Sequence, residues 1–236
     1  MKQKLLLLSN STNPGEKYLE YSLEYIRKFL GDVPQTALFI PYAAVTFSYD
    51  EYERKVAECF QEIGHSVCSI HHYENTREAV EKASLIIVGG GNTWKLVKTL
   101  QDNQLMDVIR QKVLSGTPYI GWSAGSNIAC PTLKTTNDMP IVQPSDFSTL
   151  GLVPFQINPH YTDAHPSGLG GETREDRIQE FITVNQDVIV VGLREGTLLW
   201  YENNQIKLIG NRSARIFRYH QETIELTATD NFSFLI

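Results

Sequence analysis

Residues 85–125 read LIIVGGGNTWKLVKTLQDNQLMDVIRQKVLSGTPYIGWSAG. Two short apolar runs, each ending on small residues, bracket a broken helical pattern. A strand, a helical crossover and a second strand pair in parallel, and a parallel sheet is covered by helices on both faces. The same alternation extends back to the start of the chain. Leu5–Leu8 predicts a strand. KYLEYSLEYIRKFLG predicts a helix with Leu19, Leu23, Ile26 and Leu30 on one face and Gly31 as its stop. ALFIPYA is a strand cut short by Pro41. DEYERKVAECFQEIG is a helix with Asp50 placed to cap it and Gly64 to end it. HSVCSIH and NTREAVEKAS supply a further strand and helix. Toward the C-terminus a helix is expected from about Arg174 to Val184. Turn signals at Glu195–Gly196, Asn203–Asn204 and Gly210–Asn211 then predict antiparallel strands that extend the same sheet. The expected fold class is α/β, mainly parallel, with helices on both faces and antiparallel C-terminal strands, as one domain over residues 1–236.

Of the 236 residues, 42% are hydrophobic and 20% charged, enough to bury a sizeable core. The net charge of -6 argues against a nucleic-acid or anionic-membrane partner. Three cysteines, Cys59, Cys68 and Cys130, include no C-x-x-C pair and read as reduced thiols, which fits a cytoplasmic home. In MKQKLLLLSNST the apolar run is too short for a signal peptide or a membrane span.

In parallel sheets ligands sit beyond the carboxyl ends of the strands, which here means IIVGGG and YIGWSAG. G-x-S-x-G between a strand and a helix is the pattern of a nucleophile elbow around Ser123, and equally of a small-residue turn packing a helix on a sheet. A serine hydroxyl needs a base. His65, His71, His72 and His220 read as solvated surface residues, and His165 as a loop residue. His160, in FQINPHYTDAHPSG, follows an apolar strand and can be presented at the sheet rim. Two orders remain open: Ser123, an acid, then His220, as in α/β-hydrolase esterases; or Ser123, His160, Glu195. The position of His160 past a strand end favours the second. A metal site from His160, Asp163 and His165 lacks a helix to align the ligands. For an oxyanion, the Ala124 N–H at a helix start and the glycines of GGGNT offer donors. That glycine run matches neither dinucleotide nor P-loop spacing.

VGGGNTWKLVKTL, GWSAGSNIACPTLKTTNDMPIV, QINPHYTDA, GETREDRIQEF and VGLREGTLL, in this order, resemble the peptidase E, or α-aspartyl dipeptidase, family along most of the chain. The resemblance implies a flavodoxin-like, class I glutamine-amidotransferase-like fold. It also implies hydrolysis of dipeptides with N-terminal aspartate by a Ser-His-Glu triad, with Ser123, His160 and Glu195 in those roles. Gly91 and Ala124 become the oxyanion donors. Arg174, with Gly90 and Asn92, is assigned to substrate, Arg174 to its aspartate side chain. Arg194, where the family often has proline, is a departure beside the acid, and His165 is a local variation. A cyanophycinase-like hydrolase of aspartyl polymers is a neighbouring alternative. No cofactor or metal is implied. The expected partner is a small Asp-Xaa peptide, with monomer and homodimer both open.

Overall fold

In the computed structural model, which describes residues 3–164 and 170–236, Leu5 to Leu8 of β1 (Lys4–Leu8) are all buried, and their side chains alternate between two apolar clusters. Leu5 and Leu7 face one cluster, and Leu6 and Leu8 face the other. A strand buried on both faces is a continuous apolar run, so four consecutive leucines are the expected signature of a central strand covered on both sides.

The covering helices lie between the strands that follow: α1 (Glu20–Leu30), β2 (Thr36–Ile40), α2 (Tyr49–Glu62), β3 (Ser66–Ser69), α3 (Thr76–Lys82), β4 (Ile86–Val88), α4 (Thr93–Asp102), α5 (Met106–Leu114), β5 (Tyr119–Trp122) and α6 (Ala124–Asn127). Ile26 and Phe29 of α1 and Val56 and Phe60 of α2 close one face, while Val80, Leu96, Val97 and Val108 of α3, α4 and α5 lie in the cluster on the other. Then come β6 (Gln156–Tyr161), α7 (Arg174–Val184), β7 (Val190–Arg194), β8 (Leu198–Glu202), β9 (Gln205–Ile209), β10 (Ala214–Phe217) and β11 (Ile224–Leu226).

The main sheet runs β3-β2-β4-β5-β1-β8-β9, with the first five strands parallel and the β8–β9 hairpin antiparallel at one edge. Asn203 and Asn204, at φ 54° and 57°, make the left-handed two-residue turn that matches strand twist in a hairpin. The expectation that all C-terminal strands extend this sheet is corrected. Strands β7, β10 and β11 leave it and join β6 in a second sheet of order β11-β10-β7-β6. The parallel β6–β7 pair needs a crossover, which α7 supplies, packing Ile178 and Ile182 on Tyr161, Val190 and Phe217.

Smaller corrections have local causes. Ser48, not Asp50, caps α2: its hydroxyl accepts from Glu51 N–H while the Glu51 carboxylate accepts from Ser48 N–H, a reciprocal capping box. His65 is buried rather than solvated, its Nδ1 accepting from Gln35 N–H at 3.2 Å. His220 sits in an exposed turn at φ 54° rather than in a strand. The three cysteines are free thiols, Cys68 only half-buried. Among the described residues no helix is long and apolar enough to cross a membrane.

Candidate active site

The carboxyl ends of β4, β5 and β1 are neighbours in the main sheet, and the chain changes character abruptly at each. After β5, Ser123 takes φ 52° and ψ -111°. That backbone conformation costs a non-glycine residue about 1–3 kcal/mol and turns the strand sharply into α6. The flanking glycines have steric causes. A Cβ on Gly121 would lie 2.5 Å from Gly125 O, and one on Gly125 would lie 2.2 Å from Val88 O. Strand, turn and helix touch backbone to backbone, so no side chain can move aside. Gly91 beyond β4 is at φ 135°, where a Cβ would meet Ala43 O at 2.3 Å. The elbow is therefore real, and the turn-packing reading of the same glycines is also correct.

His160 and Glu195 arrive from the second sheet. Between β6 and β7 the register pairs Asn158 with Gly192 and Tyr161 with Arg194, three residues against two. One extra residue on β6 makes a bulge at Pro159–His160, and His160 sits at φ 53° within it. Proline cannot donate to the ladder, and a bulge re-aims the side chain it contains. His160 Nε2 lies 2.9 Å from Ser123 Oγ, and its Nδ1 lies 2.7 Å from Glu195 Oε1. Glu195 occupies the turn directly after β7.

Two polar residues past the end of β1 fasten the sheets together here. Ser9 Oγ donates to Leu193 O at 2.7 Å and accepts from His160 N–H at 2.9 Å. Asn10 Oδ1 accepts from Gly196 N–H at 2.9 Å. Neither residue was singled out by sequence reasoning. The available signal was a buried strand ending abruptly in Ser-Asn, a polar pair that is itself buried.

Arg194 is not an idle departure beside Glu195. Its guanidinium is bidentate to Asp163, at 2.9 Å for both bonds, and to Glu225 at 2.7 and 2.9 Å, with a further bond to Ser213 O at 2.9 Å. Asp163 follows β6, so this fork ties the strand end carrying His160 to the one carrying Glu195. Hydrogen bonding from Arg194 holds the Glu225 carboxyl below its ordinary range. A depressed carboxyl pKa contributes stability above the unfolded value near 4.5 and loses it as pH falls through the lower folded value. Thermal melts of wild type should therefore fall more steeply below about pH 4.5 than those of Glu225→Gln. The difference should be on the order of 1 kcal/mol or less, because Glu225 is partly solvated.

Ser123 and His160 open into a cleft of about 710 Å3 whose walls include Gly90, Gly91, Trp122, Tyr52, Lys55 and Asp138. Tyr52 Oη donates to Gly90 O at 2.9 Å and accepts from Trp122 Nε1–H at 3.0 Å, which fixes the glycine loop against the elbow. Burial pushes the Tyr52 hydroxyl up to about 12, so it stays a donor. Asp138 Oδ2 accepts from Thr93 N–H at 2.7 Å and from the Thr93 and Thr136 hydroxyls. Tyr52 and Asp138 were also missed from sequence: Tyr52 reads as one more position of a helical pattern, and Asp138, although inside the GWSAGSNIACPTLKTTNDMPIV segment, was given no role.

Two expected substrate residues stand elsewhere. The Asn92 side chain is engaged in the fold: Oδ1 caps α4 at Lys95 N–H, and Nδ2 donates to Met139 O at 3.0 Å. Arg174, first residue of α7, lines a separate cavity of about 480 Å3 with Lys134, Asn137, Asn158, Thr162 and Arg177. Its Nη1 is buried without a hydrogen-bond partner, and desolvation, helped by Arg177, lowers its pKa. Asn137 and Thr162 on that cavity adjoin Asp138 and follow His160 closely in the chain, so the two spaces are close neighbours. Of the metal trio set aside on sequence grounds, His165 lies outside the described residues, while Asp163 is held by Arg194 and Arg215.

The family model for peptidase family S51 matches residues 5–209. Peptidase E of a Nostoc species is 51% identical over 236 residues, covering all of this chain and 98% of that protein. Peptidase E of Salmonella arizonae is 47% identical over 229 residues, covering 97% of this chain and all of its own. Among solved structures, a peptidase from an acI-B1 actinobacterium superposes with a TM-score of 0.68 at 19% identity, covering 99% of this chain and 98% of that one. At that identity the likeness speaks for the fold alone. The family match across most of the chain and the identity of about half settle the membership: this chain is a peptidase of family S51, similar to peptidase E.

Proposed function

We propose that this chain is a serine-type dipeptidase that removes N-terminal aspartate from Asp-Xaa peptides through an acyl-enzyme. The observation that carries the reading is the unbroken line Glu195–His160–Ser123, with contacts of 2.7 and 2.9 Å, ending on a strained serine at the cleft. His160 Nε2 takes the Ser123 proton as Oγ attacks the aspartyl carbonyl, then returns it to the leaving amine. Glu195 accepts from His160 Nδ1–H, sets the tautomer that leaves Nε2 basic and stabilises the imidazolium. Water, deprotonated by the same nitrogen, releases aspartate.

The Ser123 N–H is already bonded to Leu8 O at 3.1 Å, so the donor on the helix side is the next amide, Ala124. Gly91 supplies the second donor from the facing loop. Removing such a donor typically costs about 3–4 kcal/mol of transition-state stabilisation. Asp138 places a carboxylate in the cleft wall, suited to the substrate's α-ammonium. Arg174 takes the aspartate side chain: a buried guanidinium with an unpartnered Nη1 and a cationic neighbour favours an anion.

A kinetic panel of Asp-Leu, Asn-Leu, Glu-Leu and isoaspartyl-Leu tests the assignment. Asp-Leu should exceed Asn-Leu in kcat/KM by at least about 100-fold, because the neutral isostere leaves the guanidinium unpaired. In Arg174→Met that ratio should collapse, mainly through loss on Asp-Leu. Equal turnover of Asn-Leu by the wild-type enzyme would remove Arg174 from the reading. Preferential cleavage of aspartyl polymer would replace the dipeptide as substrate.

A further inference from the structure

His71 and His72, expected to be merely solvated, lie in the 3-10 turn after β3 and face the first turn of α2. There one ligand atom from each of His71, His72, Asp50 and Glu53 lies within 4.8 Å of all the others. We infer that these four side chains form a binding site for a divalent transition-metal ion of the zinc class, clamping the N-terminus of α2 to the end of β3.

The cluster converges rather than pairing off. Asp50 Oδ1 lies 2.9 Å from His71 Nε2 and 3.9 Å from His72 Nε2, while His72 Nε2 lies 2.5 Å from Glu53 Oε2. Carboxylate oxygens only accept, so a proton bridges each imidazole contact. A metal ion takes the place of such protons, which leave to solvent. Tetrahedral zinc with bonds of about 2.0–2.2 Å needs ligand atoms about 3.3 Å apart, inside the range seen here. Two of the ligands, His71 and Glu53, are also oriented from behind, as ligands of a metal need to be. Ser69 Oγ is 2.7 Å from His71 Nδ1, and Ser69 N–H donates to Glu53 Oε1 at 2.7 Å, leaving Oε2 for the ion.

The charge balance agrees. Two carboxylates and two metal-bound neutral imidazoles sum to -2, the complement of a divalent cation. The opposing cation is Arg54, close enough to act on Asp50. Mixed nitrogen and oxygen donors favour zinc, nickel or copper over magnesium or calcium. This site is separate from the Ser123 cleft, but α2 joins them, since its Tyr52 holds the Gly90 loop.

The test is titration of chelator-treated protein with zinc chloride, followed by calorimetry and thermal melts, with magnesium chloride in parallel. One Zn2+ should bind per chain with Kd of about 10 µM or tighter. Tm should rise by roughly 5–10 °C at a hundredfold excess over Kd, and magnesium should do neither. The double variant His71→Ala/His72→Ala should weaken binding at least about 100-fold. Asp50→Asn/Glu53→Gln keeps both imidazoles and guards against a folding defect; it should also lose the thermal shift. No uptake at 100 µM zinc (about tenfold above the expected Kd), or uptake unchanged in both variants, overturns the site.

Discussion

Ser123→Ala is expected to lower kcat on Asp-Leu by about four to six orders of magnitude with little change in Tm. Alanine keeps the elbow's shape and loses only Oγ, the atom 2.9 Å from His160 Nε2. His160→Ala should match it, and the double variant should be no worse than either, because a nucleophile without its base and a base without its nucleophile are equally idle. Glu195→Gln should retain more activity, losing about 100-fold to 10,000-fold, since the imidazole would still reach the hydroxyl but in a poorly set tautomer. His220→Ala separates this arrangement from the α/β-hydrolase order. His220 is exposed, against Tyr219, so its loss should leave kcat/KM within about twofold. A damaging His220→Ala beside a harmless His160→Ala would end the proposed mechanism. A serine-directed phosphonate gives an independent reading: it should label Ser123 in wild type and nothing in Ser123→Ala.

The largest effect on stability should come from one methyl group. In Gly125→Ala the new Cβ would stand 2.2 Å from Val88 O, a backbone atom in the middle of the sheet. Neither the short helix nor the strand can yield without breaking the contacts that hold β4, β5 and α6 together. Overpacking against rigid backbone should cost about 3 kcal/mol or more, seen as a Tm lower by roughly 6–12 °C or more, or as failure to fold. Gly171→Ala is the control. A Cβ there meets nothing within 4 Å, so stability should change by about 0.5 kcal/mol or less. Wild-type stability in Gly125→Ala would mean that α6 packs further from β4 than described here.

Much of this was legible in the chain before any coordinates. The leucine run of β1, the helical spacing of α1 and α2 and the broken helix before β5 gave the elements in order, with α7 starting at Arg174, although α1 begins only at Glu20 and Leu19 is a left-handed residue before it. The elbow was legible because its G-x-S-x-G pattern is local, although what excludes a Cβ at Gly125 is Val88 O on the neighbouring strand. Glu195 was legible as a residue placed after a strand, whereas His160, expected past a strand end, lies within β6 at its bulge. What failed to show had non-local causes. The capping of α2 by Ser48, just before the expected Asp50, was overlooked, and His65 could not be seen as buried without knowing what covers it. The split of the C-terminal strands between two sheets depends on which strand pairs with β6, and hydrophobic alternation is the same in either sheet.

The amino-acid order alone determined which short runs form strands and helices and which side chains carry acid, base or hydroxyl, because backbone conformation and burial periodicity are written over a few neighbouring residues. Only the tertiary structure decided that the ends of β5, β6 and β7 meet, that a bulge at Pro159–His160 aims the imidazole, and that Arg174 faces the adjoining cavity rather than the cleft itself. Those outcomes rest on strand order and on contacts such as Ser9 to His160, 151 residues apart. The energy of such contacts depends on partners that no local stretch of the chain contains.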